Sequence, residues 1–443
     1  MRDLFLVLAT LGFLPLCFRY PAAGAICWAW FSLMSPHRLV YGFAYGQQFN
    51  LVIAAVTLAG WLISHERKRW TPDLVPKLLL IFLFWTTLNT WFAVFPDTSW
   101  PAWEQTIRSW AVVFLVFFII NTKVRVHALV WIVAISLGFY GLKGGLFTMV
   151  TGGQFAVFGP PGTFIADNNQ LALAIVMCLP LLNYLRLHTK LRALQLGLGA
   201  AIFFETLTVL GSQSRGAAVA LASVFGMFWL TARRKLVYAC AGIALAAAAL
   251  SFMSTGYFDR MQTIQSAESD NSFMGRVYAW HVAINIAEDA FPFGAGFYGG
   301  QRPEMFRRYD QEHTPLAAHS IYFQVLGDQG FVGLGIYLLI LVLALRNCGV
   351  TIRQTRGSPD LLWAYDLTKM LRIGIIGYCV GGAALSMAYY DGFMLLIALP
   401  SVLREMTAPK RVPEGLLTEV STEPLTPSAP ELEPILNLKP KWL

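Results

Sequence analysis

The chain has 443 residues, of which 56% are hydrophobic and 13% charged, and its formal net charge is +8. A soluble globular protein carries about 25% charged residues, so the composition excludes an ordinary soluble enzyme and points to a membrane protein. The basic excess sits in short loops between apolar runs, which turns it away from nucleic acid and into a topological signal.

Taken from the N-terminus, MRDLFLVLATLGFLPLCFRY reads as a retained first membrane segment, because no convincing small-x-small cleavage site follows it and many apolar runs do. A span needs about 20 apolar residues. On that template the predicted spans are 4–18, 21–34, 49–64, 77–95, 109–121, 128–142, 169–186, 193–211, 216–232, 236–253, 317–345, 371–389 and 392–403. The fold class expected is all-α, a polytopic transmembrane bundle of about 12 spans. The first two runs are read, by a narrow margin, as one crossing broken near Arg19-Tyr20-Pro21, which places the N-terminus inside.

Five basic segments punctuate the runs: His65-Glu66-Arg67-Lys68-Arg69, Lys123-Val124-Arg125, Arg186 to Arg192, Arg233-Arg234-Lys235 and Arg346 to Arg356. Two spans separate each from the next, so all five can share the cytoplasmic side. The loops 96–108, 143–168, 212–215 and 254–316 then face outward. Segment 254–316 holds eight acidic residues against five Lys and Arg, without the cytoplasmic bias. The expected organisation is a transmembrane domain over 1–408, with 254–316 a periplasmic loop containing short helices. A Pro-, Glu-, Ser- and Thr-rich tail over 409–443 is expected to be disordered in the cytoplasm. The six cysteines form no CxxC pair and read as small apolar core residues. No inverted repeat of the transporter kind is evident.

Ionisable groups at membrane depth tend to be functional, and the outward ends hold several. Arg215 lies in the short turn Gly211-Ser212-Gln213-Ser214-Arg215-Gly216, where snorkelling to lipid phosphate is the bland alternative. Arg276 opens an amphipathic helix that runs to about Ala290 and is broken by Phe291-Pro292-Phe293-Gly294-Ala295-Gly296. Arg302, Arg307 and Arg308 are its competitors in the same loop. His319, in Ala318-His319-Ser320-Ile321-Tyr322-Phe323-Gln324, falls where the loop re-enters the bilayer, and a histidine there can stay neutral and accept a proton. His281 and His313 are weaker candidates in the more solvated loop. Asp167-Asn168-Asn169-Gln170 opens the 169–186 span, where helix capping is the alternative to function. Arginine forks suit a diphosphate, and a neutral imidazole suits removal of a hydroxyl proton. Together they suit displacement of a diphosphate by an alcohol. A lipid-linked sugar diphosphate fits: head group at the interface, chain in the bilayer.

At these residues the chain resembles the O-antigen ligase superfamily, which includes O-antigen polymerases and protein O-oligosaccharyltransferases. The resemblance rests on Ser214-Arg215-Gly216, Gly275-Arg276 to Trp280, the Phe291-Pro292 to Gly296 break, and Ala318-His319-Ser320 through Gln324 to Leu334, and it covers about 160–345. Ser35-Pro36-His37-Arg38, Gly42-Phe43-Ala44-Tyr45 and Ala166-Asp167-Asn168-Asn169 resemble, more narrowly, the O-glycosylation ligases associated with exosortase systems of Gram-negative bacteria. The resemblance implies a metal-independent, cofactor-free, inverting glycosyl transfer from an undecaprenyl-diphosphate-linked glycan at the periplasmic face of the inner membrane. The acceptor hydroxyl would belong to lipid A core, a protein or a polysaccharide. In it Arg215 and Arg276 would bind the diphosphate and His319 would be the general base, with Gln213, Ser214, Ser320, Gln324, Asp167 and Asn168 in support. Many members have His-Asn where this chain has His319-Ser320, which bears on acceptor choice. A polymerase of the same chemistry is one alternative. A lipid-linked glycan flippase is another, for which Glu205 is the main midplane charge.

Overall fold

The computed structural model describes residues 1–409 other than 67, 69, 233 and 256–270. The chain divides into two units, Met1–Thr407 and Ala408–Leu443. Positions 410–443 of the expected tail, 256–270 of the expected outer loop, and Arg67, Arg69 and Arg233 of the basic segments lie outside the described residues.

The described residues of the first unit are all-helical: α1 (Arg2–Arg19), α2 (Pro21–Met34), α3 (Phe49–Ile63), α4 (Leu74–Trp91), α5 (Pro96–Ile119), α6 (Lys123–Thr151), α7 (Asn168–His188), α8 (Arg192–Gly211), α9 (Arg215–Thr231), α10 (Lys235–Leu250), α11 (Asn271–Asp289), α12 (Pro303–Tyr309), α13 (Ile321–Thr355), α14 (Leu362–Gly382) and α15 (Asp391–Thr407). Six of them, α4 to α8 and α13, are long and apolar enough to cross a membrane, and α2, α3, α9 and α10 are apolar but shorter. Length and composition thus give six candidate spans among the described residues; the remaining runs read from the sequence fall on shorter or more polar helices.

The helix starts follow local chemistry. Pro21 and Pro96 occupy first-turn positions, where a missing N–H costs nothing. Asp73, Thr122, Asp167 and Ser214 cap α4, α6, α7 and α9 through their side-chain oxygens. Two expected loops turn out helical at their edges: α5 begins at Pro96, so 96–108 is helix, and α6 runs on to Thr151, leaving 152–167 irregular.

The first two runs form two antiparallel helices rather than one broken crossing. Asp3 Oδ1, at the start of α1, accepts from the backbone N–H groups of Gly42 (3.1 Å) and Ala44 (3.0 Å), just beyond the end of α2. Gly60, late in α3, packs on the backbone of Phe18 at the far end of α1. The chain therefore turns back at Tyr20, and the N-terminus lies at the same end of the bundle as the 35–48 segment.

Contacts among helix ends gather the basic segments. Glu66 pairs with Arg125 (2.7 Å). Lys123 lies over the Trp363 ring (5.5 Å), and His188 meets Asp366 (3.1 Å). Arg186 shares a cavity wall with Trp229 and Tyr238, which flank the Arg234-Lys235 link between α9 and α10. At the same end Arg404 bonds both Asp73 (3.0 Å) and Asn347 (2.9 Å), tying α4, α13 and α15 together. The described parts of all five basic segments thus share one end of the bundle.

Helix α6 carries Gly141, Gly144 and Gly145 where it meets α8. A Cβ at Gly145 would strike the Phe204 carbonyl, and one at Gly144 would meet Thr208. Small residues at such a seam allow close helix approach without a hydrophobic drive between helices.

Helix α13 is broken at Gly330 (φ 70°, ψ −174°), and the loop after α11 docks into the break. Asn89 donates to the Asp328 carbonyl (2.6 Å) and accepts from the Gly294 N–H (3.0 Å), while Trp85 donates to the Gln329 carbonyl (2.9 Å). The carbonyls freed by the kink are satisfied this way, as membrane depth demands. That backbone conformation is essentially restricted to glycine and costs another residue about 1–3 kcal/mol. A Cβ there would also collide with the Phe293 carbonyl. Gly330→Ala is therefore expected to lower the melting temperature of the purified protein and to loosen the 291–296 loop. A melting curve unchanged from wild type would contradict that account.

Candidate active site

The end of the bundle opposite the basic segments carries the candidate residues. His319 precedes α13 and is held with φ 44°, in the left-handed region. That conformation is uncommon for a residue with a side chain and clusters at functional sites. Among the described residues four non-glycine residues have positive φ: Ser35, Gln213, Tyr298 and His319. Gln213 lies two residues before Arg215, and Tyr298 and His319 line one cleft. Ser35 lines the neighbouring cavity. Strain is concentrated where the chemistry-bearing residues are.

Helix α11 braces His319. Trp280 Nε1 donates to the Ala318 carbonyl (2.6 Å), and its ring stacks on Phe323 (4.8 Å between centroids). Arg276 lies one turn earlier on the same face as Trp280, which brings its guanidinium toward His319. Burial holds the His319 imidazole below its usual range, the Arg276 charge lowers it further, and Asp167 partly opposes both. The Arg276 guanidinium is itself shifted down by burial and then by Arg215. Its Nε is buried with no hydrogen-bond partner among the described residues. Arg215, Arg276, His319 and Asp167 thus form one electrostatically coupled series.

Arg215 begins α9, fixed by the Ser214 cap (Ser214 Oγ accepts from Ala217 N, 3.2 Å). Gly216 packs directly on Ala384 and Leu385, and Leu385 lines the cleft that holds His319. Arg302 and Arg308, the competitors in the sequence, are engaged elsewhere. Arg302 lies over the Phe95 ring (5.1 Å) and near Asp97 (3.4 Å), and Arg308 is near Asp289 (3.9 Å). Arg307 is exposed on α12. His313 bonds Asp310 (2.9 Å) and stacks on Tyr278.

The cleft at His319 has a volume of about 160 Å³ and includes Asp167, Gln324, Tyr298 and Gln301 on its walls. Pockets that engulf a small ligand have about 300–1,000 Å³, so this one admits the reacting atoms and not a whole substrate. Tyr298 is a residue that sequence reasoning missed. Burial, reinforced by Asp328, pushes its phenol up to about 12, so it remains a hydroxyl donor. Neither Tyr298 nor Gln301 carries a local motif that marks it.

The supporting residues divide. Asp167 caps α7 (Asn169 N to Oδ1, 2.9 Å) and also lines the His319 cleft, so both readings of it hold. Asn168 donates to the Ser212 carbonyl (2.7 Å) and Gln213 to the Gly153 carbonyl (2.8 Å), tying the 212–215 turn to neighbouring loops. Gln324 Oε1 accepts from the Ala388 N–H (3.0 Å), shaping the cleft wall. The Ser320 hydroxyl is buried without a partner among the described residues, and Ser320 is not part of the cleft lining.

Two stretches of the chain match known families. Residues 198–338 match the family described as O-Antigen ligase, and this match takes in Arg215, Arg276 and His319. This match supports the O-antigen ligase superfamily, a family that implies glycosyltransferase activity of the O-antigen ligase or polymerase type. Ahead of this stretch, residues 1–190 match a family of unknown function (DUF5935). No curated protein matches the chain.

His319 is expected to act as its neutral form, so the acid limb of kcat/KM reports its protonation in the free enzyme. With its pKa lowered, activity should be lost only as pH falls below the ordinary imidazole value of 6.5. Asp167 stabilises the imidazolium, so Asp167→Asn should move that limb to still lower pH. A limb that stays put or moves upward in a pH–rate profile would break this link.

Proposed function

We propose that the protein is an inverting, metal-independent glycosyltransferase. It moves a glycan from an undecaprenyl-diphosphate carrier to an acceptor hydroxyl at the periplasmic face of the inner membrane. One observation carries the reading: His319 lines a cleft with Asp167 and feels the charges of both Arg276 and Asp167, within the stretch that matches O-antigen ligase.

In this mechanism the neutral His319 imidazole takes the acceptor hydroxyl proton as the oxygen attacks the anomeric carbon. The new C–O bond forms on the face opposite the diphosphate. The bond to the diphosphate oxygen breaks, its electron pair leaves with that oxygen, and configuration inverts. Arg215 and Arg276 neutralise the charge that develops, which is electrostatic stabilisation of the transition state. The Nε of Arg276, buried with no partner among the described residues, is a donor such a leaving group would satisfy. The positive-inside trend places the end bearing the basic segments in the cytoplasm, and the His319 end therefore in the periplasm. The transmembrane unit then spans 1–408, with 254–316 periplasmic and 409–443 a cytoplasmic tail. The Ser35 to Tyr45 resemblance supports the narrower exosortase-associated ligase reading. Polymerisation of repeat units by the same steps is the second reading, because the family match embraces both. The product tells them apart: polymer on the carrier, or glycan on another acceptor.

Purified protein in detergent, given donor and acceptor, is expected to form product without a membrane potential or a second compartment. A flippase would form none. Glu205, fully buried in α8 with both carboxylate oxygens unpartnered among the described residues, is the charge a transporter would use. Glu205→Gln is expected to leave transfer within about threefold of wild type; abolition of transfer by a folded variant would give Glu205 a part in the reaction that this mechanism does not assign to it.

A further inference from the structure

A second cavity, of about 560 Å³, lies beside the His319 cleft, and Phe164 lines both. Its walls come from the 3-10 turn Pro36–Leu39, the start of α3, the first half of α5 and the 162–164 loop. These belong to the stretch whose family has no known function, and Asp391 at the start of α15 adds to the wall from outside it. The volume is within the range of whole-ligand pockets.

Three polar atoms of its lining residues are buried with no hydrogen-bond partner among the described residues: His37 Nδ1, Arg38 Nε and Asn50 Oδ1. Their chemistry is mixed. Arg38 Nε only donates, Asn50 Oδ1 only accepts, and a neutral imidazole nitrogen does one or the other. Burial, then Arg38, pushes the His37 imidazole down to about 4, so it is neutral. An anion would satisfy the donor and repel the acceptor, whereas sugar hydroxyls donate and accept at once. The other charges of the lining are already matched: Arg108 with Glu104, and Asp391 with Ser32 and the Gly392 N–H. Arg38 is held over the Tyr45 ring (4.9 Å) and against Gly162, with no carboxylate paired to it among the described residues. Phe49 and Phe164 supply apolar faces for the C–H side of a sugar ring.

Position selects which saccharide. Arg215 and Arg276 line neither cavity, while Phe164, in the wall of the His319 cleft, is also in the wall of the larger one. An inverting displacement needs its nucleophile on the side away from the leaving group. We propose that the His37–Arg38–Asn50 cavity seats the acceptor of the transfer reaction and that this acceptor is a saccharide, its reacting hydroxyl passing Phe164 to reach His319. The assignment rests on the glycosyl-transfer reading above.

The test uses oligosaccharides released by mild acid from the host's surface glycans, titrated into purified full-length protein by calorimetry. Wild-type and His319→Asn proteins should bind alike, and Arg38→Gln and Asn50→Ala should each weaken binding at least tenfold while eluting as wild type on gel filtration. In the detergent assay the same two variants should raise the acceptor KM and leave the donor KM unmoved. Equal binding by wild type and both cavity variants, or no binding by wild type, overturns the proposal. So does a shift in donor KM alone, or a peptide hydroxyl serving as the acceptor with kinetics indifferent to Arg38 and Asn50. If the wild type makes no product while saccharide binding still depends on Arg38 and Asn50, the transfer reading fails and the cavity's saccharide specificity stands.

Discussion

Replacing His319 with asparagine is expected to lower glycan transfer by about 10²–10⁴-fold, the usual contribution of a general base. The protein should remain folded and membrane-inserted. Asparagine is the informative substitution because the backbone at 319 is left-handed (φ 44°), a conformation asparagine tolerates far better than most residues. His319→Ala should be as inactive, but it adds backbone strain, so only the asparagine variant separates the lost imidazole from a displaced loop. Trp280 grips the Ala318 carbonyl and stacks on Phe323, independently of the residue at 319. Substrate binding should therefore survive the change, and the loss should fall on kcat. Transfer by His319→Asn at the wild-type rate in detergent would remove His319 from the chemistry.

The second large effect is expected at Arg276. Lysine there keeps the positive charge and should still cost about 10²–10³-fold in transfer rate, the scale of removing one donor to a developing oxyanion. The reason is geometric. Nε of Arg276 is buried with no hydrogen-bond partner among the described residues, so the fork, not the charge alone, is what a bound diphosphate would engage. A lysine ammonium cannot reproduce that planar set of donors. Arg302→Lys, at a residue already engaged with Phe95 and Asp97, should change transfer little. If Arg276→Lys were equally mild, Arg276 would be an electrostatic bystander to His319, and the diphosphate would have to be bound elsewhere.

Several features of the fold were legible along the chain because they are local. Asp167, read as a helix cap, does cap α7. The spacing of basic segments by pairs of apolar runs anticipated their collection at one end. Other features were not legible, for identifiable reasons. The N-terminal pair read as one broken crossing because its apolar runs are short. Its antiparallel course depends on Asp3 reaching Gly42 and Ala44, a contact no hydropathy pattern contains. The 96–108 segment read as a loop because Asp97, Glu104 and Arg108 dilute its apolar character. In the structure the last two pair along the helix surface.

At the candidate site, Arg215, Arg276, His319 and Asp167 stood out as residue types unusual at the outer ends of apolar runs. Tyr298 and Phe164 did not, since an aromatic residue in an aromatic-rich chain carries no signal until its neighbours are known. Asn168, Gln213 and Gln324 were expected in support of the site, and each has at least one backbone partner that shapes it.

By itself the sequence determined the class of protein, its helical character, which end of the bundle is basic and which residue types carry the chemistry, because composition and charge spacing act additively along the chain. Only the tertiary structure decided the path of α1 and α2, the docking of the 291–296 loop into the Gly330 break and the adjacency of two cavities across Phe164. Those outcomes rest on contacts such as Asn89 with Asp328, which lie 239 residues apart. Such pairings become favourable only once the intervening helices have packed, so nothing local in the chain announces them.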